Sequence, residues 1–172
     1  MPTLLSEHHA QLVPAYRTIT LRDADSDSGH DPHDALGRAH QTIAACTGHE
    51  LYIVCAHDLL PVTVKARHWD TDPAITPPDN AAGLVGPFGI DFPTGVAVLS
   101  SPTAEATDFT LATGPGTYTA TLECQGRTHA EELHRGHASI THASDSSPCS
   151  PDLRSIEAYT IHLWRTGELD DD

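Results

Sequence analysis

Five aspartates between residues 23 and 34 form the densest group of potential metal ligands in this sequence. Asp23, Asp25 and Asp27 occupy every second position, and Asp31 and Asp34 follow. Hard oxygen ligands at this spacing can converge on one calcium ion. An EF-hand loop opening at Asp23 needs glycine at its sixth position and glutamate at its twelfth, where this sequence has serine and aspartate. The pattern therefore favours a solvated acidic loop over a calcium site.

Four histidines between residues 129 and 142 form a second group. His134 and His137 are three residues apart, and on a helix they would share a face able to chelate zinc or nickel. Ser139, Thr141 and the missing apolar period predict a loop here instead. We therefore expect adventitious metal affinity, and a metal site at His134 and His137 remains the alternative.

The cysteines offer one candidate nucleophile. Cys55 and His57 are two apart at the end of an apolar run and would share a face of a strand. The sequence has no G-x-S-x-G, H-E-x-x-H or phosphate-binding glycine motif. The spacing of the four cysteines excludes C-x-x-C pairs, which favours free thiols, although two disulfides remain open. We predict a core cysteine rather than a catalytic one, no enzyme activity and no cofactor.

The charge balance constrains the partners. Nine Lys and Arg against 24 Asp and Glu give a net charge of −15, which disfavours direct nucleic-acid binding and suits a basic protein partner or simple solubility. Protonating all 13 histidines would bring this to −2, so binding to a basic partner should weaken near pH ~5.5. No apolar run approaches the ~20 residues of a membrane helix. Met1 to Val13 lacks the features of a secretory peptide, so we expect a cytoplasmic protein.

The hydrophobic pattern predicts mainly strands. Alternating or apolar runs lie at 16–22, 51–56, 62–69, 94–100, 107–113, 116–124 and 156–164. The second and third runs are expected to form an antiparallel hairpin through a loop at 57–61. Asp31 and Pro32 mark the start of one short helix over 33–45, with the acid available as its cap.

These elements predict an all-β fold with minor α content, namely an antiparallel β-sandwich of six to eight strands with one short helix. The length of 172 residues suits a single domain over 1–172. Polar excursions are expected near 23–34, 70–93 and 127–151, and an acidic tail at 168–172.

Three segments carry a family resemblance: LYIVCAHDLLPVTVKARHWDTDP at 51–73, GPGTYTATLECQGR at 114–127 and IEAYTIHLWRTGE at 156–168. Together they resemble the competence protein J-like family of small bacterial β-sandwich proteins. The resemblance implies that Gly116, Tyr118 and Trp164 shape a turn and the core. It also implies a relation to an inhibitor of a DNA-degrading nuclease, and it carries no catalytic residues over.

Charge and resemblance together predict an acidic protein-binding module, an inhibitor or immunity-type protein that masks a basic partner such as a nuclease. Trp69, which precedes an excursion, is the candidate aromatic anchor. The remaining predicted contacts are acidic residues of the excursions: Asp23, Asp25, Asp27, Asp31, Asp34, Asp70, Asp72 and Asp79. The alternatives are a β-sandwich that binds a metal or small ligand, and a structural subunit of a larger assembly.

Overall fold

The structure is a computed structural model that describes residues 1–26, 29–76, 83–102, 106–140 and 156–169. Within these residues the chain forms ten strands and two α-helices. Their bounds are β1 Leu4–Leu12, β2 Thr18–Asp23, α1 Pro32–Thr42, β3 Ala44–Cys46, β4 Glu50–Val54, β5 Val62–Trp69, β6 Leu84–Phe92, β7 Val96–Ser100, β8 Ala106–Thr110, β9 Gly116–Gln125, α2 Arg127–Ile140 and β10 Ala158–Gly167.

Two five-stranded sheets form a β-sandwich, which confirms the predicted fold class. Sheet A has the order β1-β5-β10-β9-β6, and sheet B has the order β3-β4-β2-β7-β8. The strand pairs are antiparallel except β5 with β10, which run parallel. The described strands exceed the predicted number because β1, β3 and β6 fall in segments whose pattern did not indicate strands.

Alternation along the strands builds the core. In β5 every second residue from Val62 to His68 is buried, and the residues between them are half-buried. Every second residue from Tyr118 to Leu122 and from Tyr159 to Leu163 also belongs to this apolar core, and His162, between two of them, is buried as well. This periodicity of two is the signature of strands with one face on the core.

The predicted hairpin over residues 51–69 is wrong. β4 pairs with β2 and β3 in sheet B, whereas β5 pairs with β1 and β10 in sheet A. The segment between them therefore carries the chain from one sheet to the other. β4 is buried along its whole length because α1 covers its outer face, where Ala35 and Ala39 pack with Tyr52 and Val54.

The prediction of polar excursions at 70–93 and 127–151 is also wrong in part, because each segment contains a strand or a helix. The first contains β6, which pairs with β9 at the edge of sheet A. The second begins with helix α2, so the loop predicted there is wrong from Arg127 to Ile140. Its first turns have few apolar residues, and Glu131 instead pairs with Arg127 and Arg135 at i±4 spacing, at 4.0 and 3.6 Å.

The strands leave the sandwich at two ends that differ in character. We call the end where β2, β5, β6 and β10 terminate and β7 and β9 begin the acidic end. At the opposite end, β4 terminates, β5 begins, and β9 is followed by α2. We call this the α2 end.

Gly126 fixes the junction between β9 and α2. Its φ is +73°, and a Cβ at this position would clash with the carbonyl oxygen of Ile156, just before β10. Only a residue without a side chain permits this approach, so Gly126 sets the distance between α2 and the start of β10.

We expect Gly126→Ala to lower the free energy of unfolding by more than about 4 kcal/mol, because it adds a backbone clash to an unfavourable φ. Gly48→Ala is the matched control, since Gly48 has a φ of +97° and open space around its Cβ position. It should cost about 1–2 kcal/mol from conformation alone. Equal losses in urea denaturation of the two variants would show that the close approach to Ile156 is unimportant.

Candidate partner-binding surface

Asp23 organises the acidic end from inside. Its side chain is fully buried and accepts hydrogen bonds from the backbone N–H of Thr94 at 3.0 Å, the Thr94 hydroxyl at 2.9 Å and the backbone N–H of Asp25 at 3.0 Å. It thereby ties the end of β2 to the turn between β6 and β7. The prediction of Asp23 as a surface contact is therefore wrong, because a buried carboxylate with these donors cannot face a partner.

The turn held by Asp23 contacts the next turn directly. A Cβ on Gly95 would lie 2.8 Å from the carbonyl carbon of Gly114, in the turn that joins β8 to β9. Thr113, beside Gly114, lines a shallow depression together with Asp70 and Glu168. The surface is therefore continuous from Asp25 across both turns to Asp70.

Asp70 and Asp72 are exposed on this surface and have fixed local geometry. Asp70 accepts hydrogen bonds from the backbone N–H of Thr3 at 2.7 Å and the Thr71 hydroxyl at 3.1 Å. The first of these lowers the pKa of the Asp70 carboxyl, which keeps it ionised. Asp72 accepts from the backbone N–H of Ala74 at 2.8 Å. Both carboxylates are thus held in place and still accessible.

The other predicted aspartates have different positions. Asp25 is exposed beside Asp23, and Asp31 is exposed at the start of α1, where it adopts a left-handed conformation and makes no side-chain cap. Asp34 lies in the first turn of α1 and pairs with Arg38 at 3.5 Å. Asp27 and Asp79 lie outside the described residues, so their roles stay predictions.

Two further acidic residues of this end were missed by the sequence analysis. Asp91 lies near the end of β6 and accepts from the Thr117 hydroxyl at 2.7 Å. Glu168 follows β10 and pairs with Arg165 at 2.7 Å. Asp91 belongs to no acidic run, and Glu168 is the first residue of the predicted acidic tail, which the sequence analysis did not assign to the contact surface. The shared end of their strands brings both residues to this surface.

The side chain of Trp69 is only partly accessible to a binding partner. It lies half-buried at the end of β5, and its indole Nε1–H donates to Nδ1 of His162 at 3.2 Å. Nε2 of His162 faces a carboxylate oxygen of Glu123 at 3.5 Å. Trp69 therefore has a structural role on the outer face of sheet A, which its position before an excursion did not reveal.

The histidines proposed as metal ligands lie at the α2 end. His134 is exposed on α2, and the side chain of His137 lies outside the described residues. Among the described residues, no group of three His, Cys, Asp or Glu side chains is placed to hold a metal ion. The helix that the sequence analysis did not predict is present, and the metal site at His134 and His137 stays a prediction because the side chain of His137 is not described.

Cys55 and His57 also lie at the α2 end, beside a buried carboxylate. Glu157 is fully buried and accepts from the backbone N–H of Ala56 at 2.8 Å and from the Tyr159 hydroxyl. Burial, reinforced by Glu157, raises the pKa of the Cys55 thiol well above its usual range. The thiol is therefore protonated at neutral pH, as expected for a core cysteine. Cys46, Cys55 and Cys124 are all free thiols.

Both ring nitrogens of His57 are directed into the protein, and one of them accepts a hydrogen bond. Its Nδ1 accepts from the backbone N–H of Leu60 at 3.3 Å, and its Nε2 faces Glu157 at 3.5 Å. Burial lowers the pKa of His57, so the ring is neutral at pH 7 with its proton on Nε2. Neither nitrogen is available as a base toward a substrate.

His68 has a comparable arrangement at the acidic end. Its Nδ1 accepts from the backbone N–H of Ala112 at 3.2 Å, and its Nε2 bonds the Thr113 hydroxyl at 3.0 Å. Thr113 contacts the Tyr118 hydroxyl at 2.7 Å, and Tyr118 donates to the carbonyl of Gly114 at 2.5 Å. This chain of bonds fixes the turn beneath the acidic surface.

We expect the free energy of unfolding to fall as the pH drops below about 6.5. Burial lowers the pKa of His57, His68 and His162, so the unfolded chain takes up protons that the native state does not. Each histidine contributes a slope of up to ~1.4 kcal/mol per pH unit.

Urea denaturation between pH 5.5 and 7.5 measures the slope, and His68→Gln should reduce it. A slope unchanged in that variant would contradict the assignment. Glu7, whose pKa its bond with Arg67 lowers to about 2, acts only below this window.

Asp23→Asn should destabilise the fold by about 2–3 kcal/mol, because the new amide group opposes the N–H donors that the carboxylate now accepts. Asp25→Asn removes the same charge from an exposed position and should change stability by less than about 0.5 kcal/mol. Thermal or urea denaturation of the pair separates the structural role from the surface one. Equal stabilities would show that Asp23 does not hold the turn.

Comparison with known proteins bears on the fold. No protein-family model and no curated protein sequence matches this chain. ComJ from Bacillus subtilis, an inhibitor of the DNA degrading activity of NucA, matches with a TM-score of 0.61 and 14% identity over 96% of this chain and 99% of that chain. The crocagin biosynthetic gene J product matches with a TM-score of 0.51 and 16% identity over 96% and 98%. At these identities the similarity shows the fold alone: the chain has a ComJ-like fold.

Proposed function

We propose that this protein is an acidic protein-binding module that inhibits a basic partner, such as a nuclease, by covering its basic surface. The observation that carries the proposal is the set of exposed carboxylates that the fold gathers at one end of the sandwich. The ComJ-like fold supports it, because ComJ is described as an inhibitor of a DNA-degrading activity.

The charges of this surface are suited to attracting a partner. Among the described residues, no cationic side chain pairs with Asp25, Asp70 or Asp72, whereas Asp34 and Glu168 each have an arginine partner. The negative electrostatic potential of a carboxylate without a cationic partner extends into the surrounding solvent, whereas a paired carboxylate is largely neutralised by its arginine. A nuclease cleft that binds phosphates is basic, so such a surface would accelerate association and hold the complex in a salt-dependent way.

The proposal makes the protein a binding partner and not an enzyme. Cys55 is protonated, and Nδ1 of His57, the nitrogen that could act as a base, already accepts from the N–H of Leu60, which argues against the nucleophile considered from the sequence. A cytoplasmic location also belongs to this proposal. Within the described residues, no helix has the length and apolarity needed to cross a membrane.

Charge reversal at the acidic end tests the function. We expect Asp70→Lys with Asp72→Lys to lower affinity for the partner at least tenfold, mainly by slowing association. The matched control is Asp58→Lys with Glu132→Lys, which changes the net charge equally at exposed positions of the α2 end.

The measurement begins with capture from a native lysate on immobilised wild-type protein at low salt, with elution near ~0.5 M salt. The eluted protein is then assayed for DNA degradation with and without each variant. Inhibition lost only with the Asp70 and Asp72 changes supports the proposal. Inhibition lost equally with both double variants would show a general charge effect, and inhibition kept with both would exclude the acidic end as the contact face.

A further inference from the structure

An apolar cavity opens at the α2 end, between the segment 57–60 and helix α2. Its volume is about 100 Å³. Two histidines, His57 and His134, line it together with five aliphatic residues: Leu59, Leu60, Ala130, Leu133 and Ile156. Since the carboxylates of the proposed inhibitory surface lie at the other end of the sandwich, this cavity has no part in that function.

The cavity is built on a rigid base. His57 is held between the N–H of Leu60 and the carboxylate of Glu157. Glu157 is held in turn by the N–H of Ala56 and by Arg127, which also donates to the carbonyl of Val54 at 2.5 Å. Arg127 is the first residue of α2, so one network fixes the end of β4, the segment after it and the helix. The walls therefore cannot simply close over the space.

The lining defines the chemistry of an occupant. The five aliphatic side chains offer no polar contact, and His57 is neutral with both nitrogens directed into the protein. The other lining histidine, His134, is exposed to solvent on α2. A charged group seated among the aliphatic side chains would lose its hydration without compensation. An apolar cavity of ~150 Å³ accommodates benzene, so a somewhat smaller cavity that is open on one side suits one ring or a branched alkyl group.

The opening of the cavity is also apolar. Leu59 lines the cavity and is 65% exposed, so a large apolar side chain faces water beside an apolar opening. A molecule seated in the cavity would cover it. We propose that this cavity is a binding site for a compact, uncharged apolar molecule, about the size of a single aromatic ring.

Toluene is the probe for this site, titrated into the full chain. We expect the ring resonances of His57 to shift saturably in NMR spectra, while those of His68 and His162 stay in place. These two are equally buried histidines outside the cavity and serve as internal controls. At toluene tenfold above its Kd, the melting temperature should rise by about 3–6 °C.

Filling the cavity provides the matching variants. Leu133→Trp and, as a second choice should the first not fold, Ala130→Leu should abolish the shift of His57. Leu84→Trp adds the same ring to an exposed residue of β6 and should leave binding unchanged. An absent or non-saturating shift in the wild type, or a shift that persists in the filled variants, would overturn the proposal. The double variant Asp70→Lys and Asp72→Lys should bind toluene normally, so failure of the inhibitory function would leave this result intact.

Discussion

The buried carboxylate of Glu157 is the constraint on which the α2 end of this fold depends. A buried carboxylate is tolerated only when donors compensate its charge. One oxygen of Glu157 accepts from the N–H of Ala56, the Tyr159 hydroxyl and the guanidinium of Arg127, while the other faces Nε2 of His57 at 3.5 Å without a hydrogen bond. These donors come from three separate segments, so satisfying one charge fixes all three. Removing one partner of such a buried pair costs about 3–5 kcal/mol, because the other charge is left without compensation. The position of α2, and the cavity beneath it, follow from this requirement.

At the acidic end, a second buried carboxylate also fixes separate segments of the chain, and there it supports a charged surface. Asp23 is as deeply buried as Glu157, and its carboxylate accepts hydrogen bonds from the N–H and the hydroxyl of Thr94 in the turn between β6 and β7. Because that turn lies against Gly114, and His68 and Tyr118 fix the Gly114 turn from below, the exposed aspartates stand on a rigid base. Rigidity matters for a charged contact surface, since carboxylates already held in position lose little conformational entropy on binding.

The sequence predicted what local periodicity encodes and missed what depends on distant contacts. Alternation identified β5, β9 and β10 because burial alternates between the two faces along β5 and along the first part of β9 and of β10. It could not show that β4 and β5 belong to different sheets, since a short connection fits both a hairpin and a crossing between layers. Helix α2 was missed because charged pairs at i±4 spacing, rather than an apolar stripe, support its first turns. For the surface, the sequence supplied Asp70 and Asp72 but also Asp23, whose burial depends on Thr94, 71 residues away.

Stability and surface charge oppose each other in this protein. At a net charge of −15 the acidic side chains repel one another, and the carboxylates gathered at the acidic end increase that repulsion locally. Among the described residues, His57, His68 and His162 are buried and kept neutral, so lowering the pH neutralises the surface less than the composition suggests while it also weakens the core. Acid therefore acts on the two properties through different groups: exposed histidines change the field that a partner meets, and buried histidines change the fold that presents it. A loss of binding near pH 5.5 is evidence for an electrostatic interface only if the protein is shown to remain folded there.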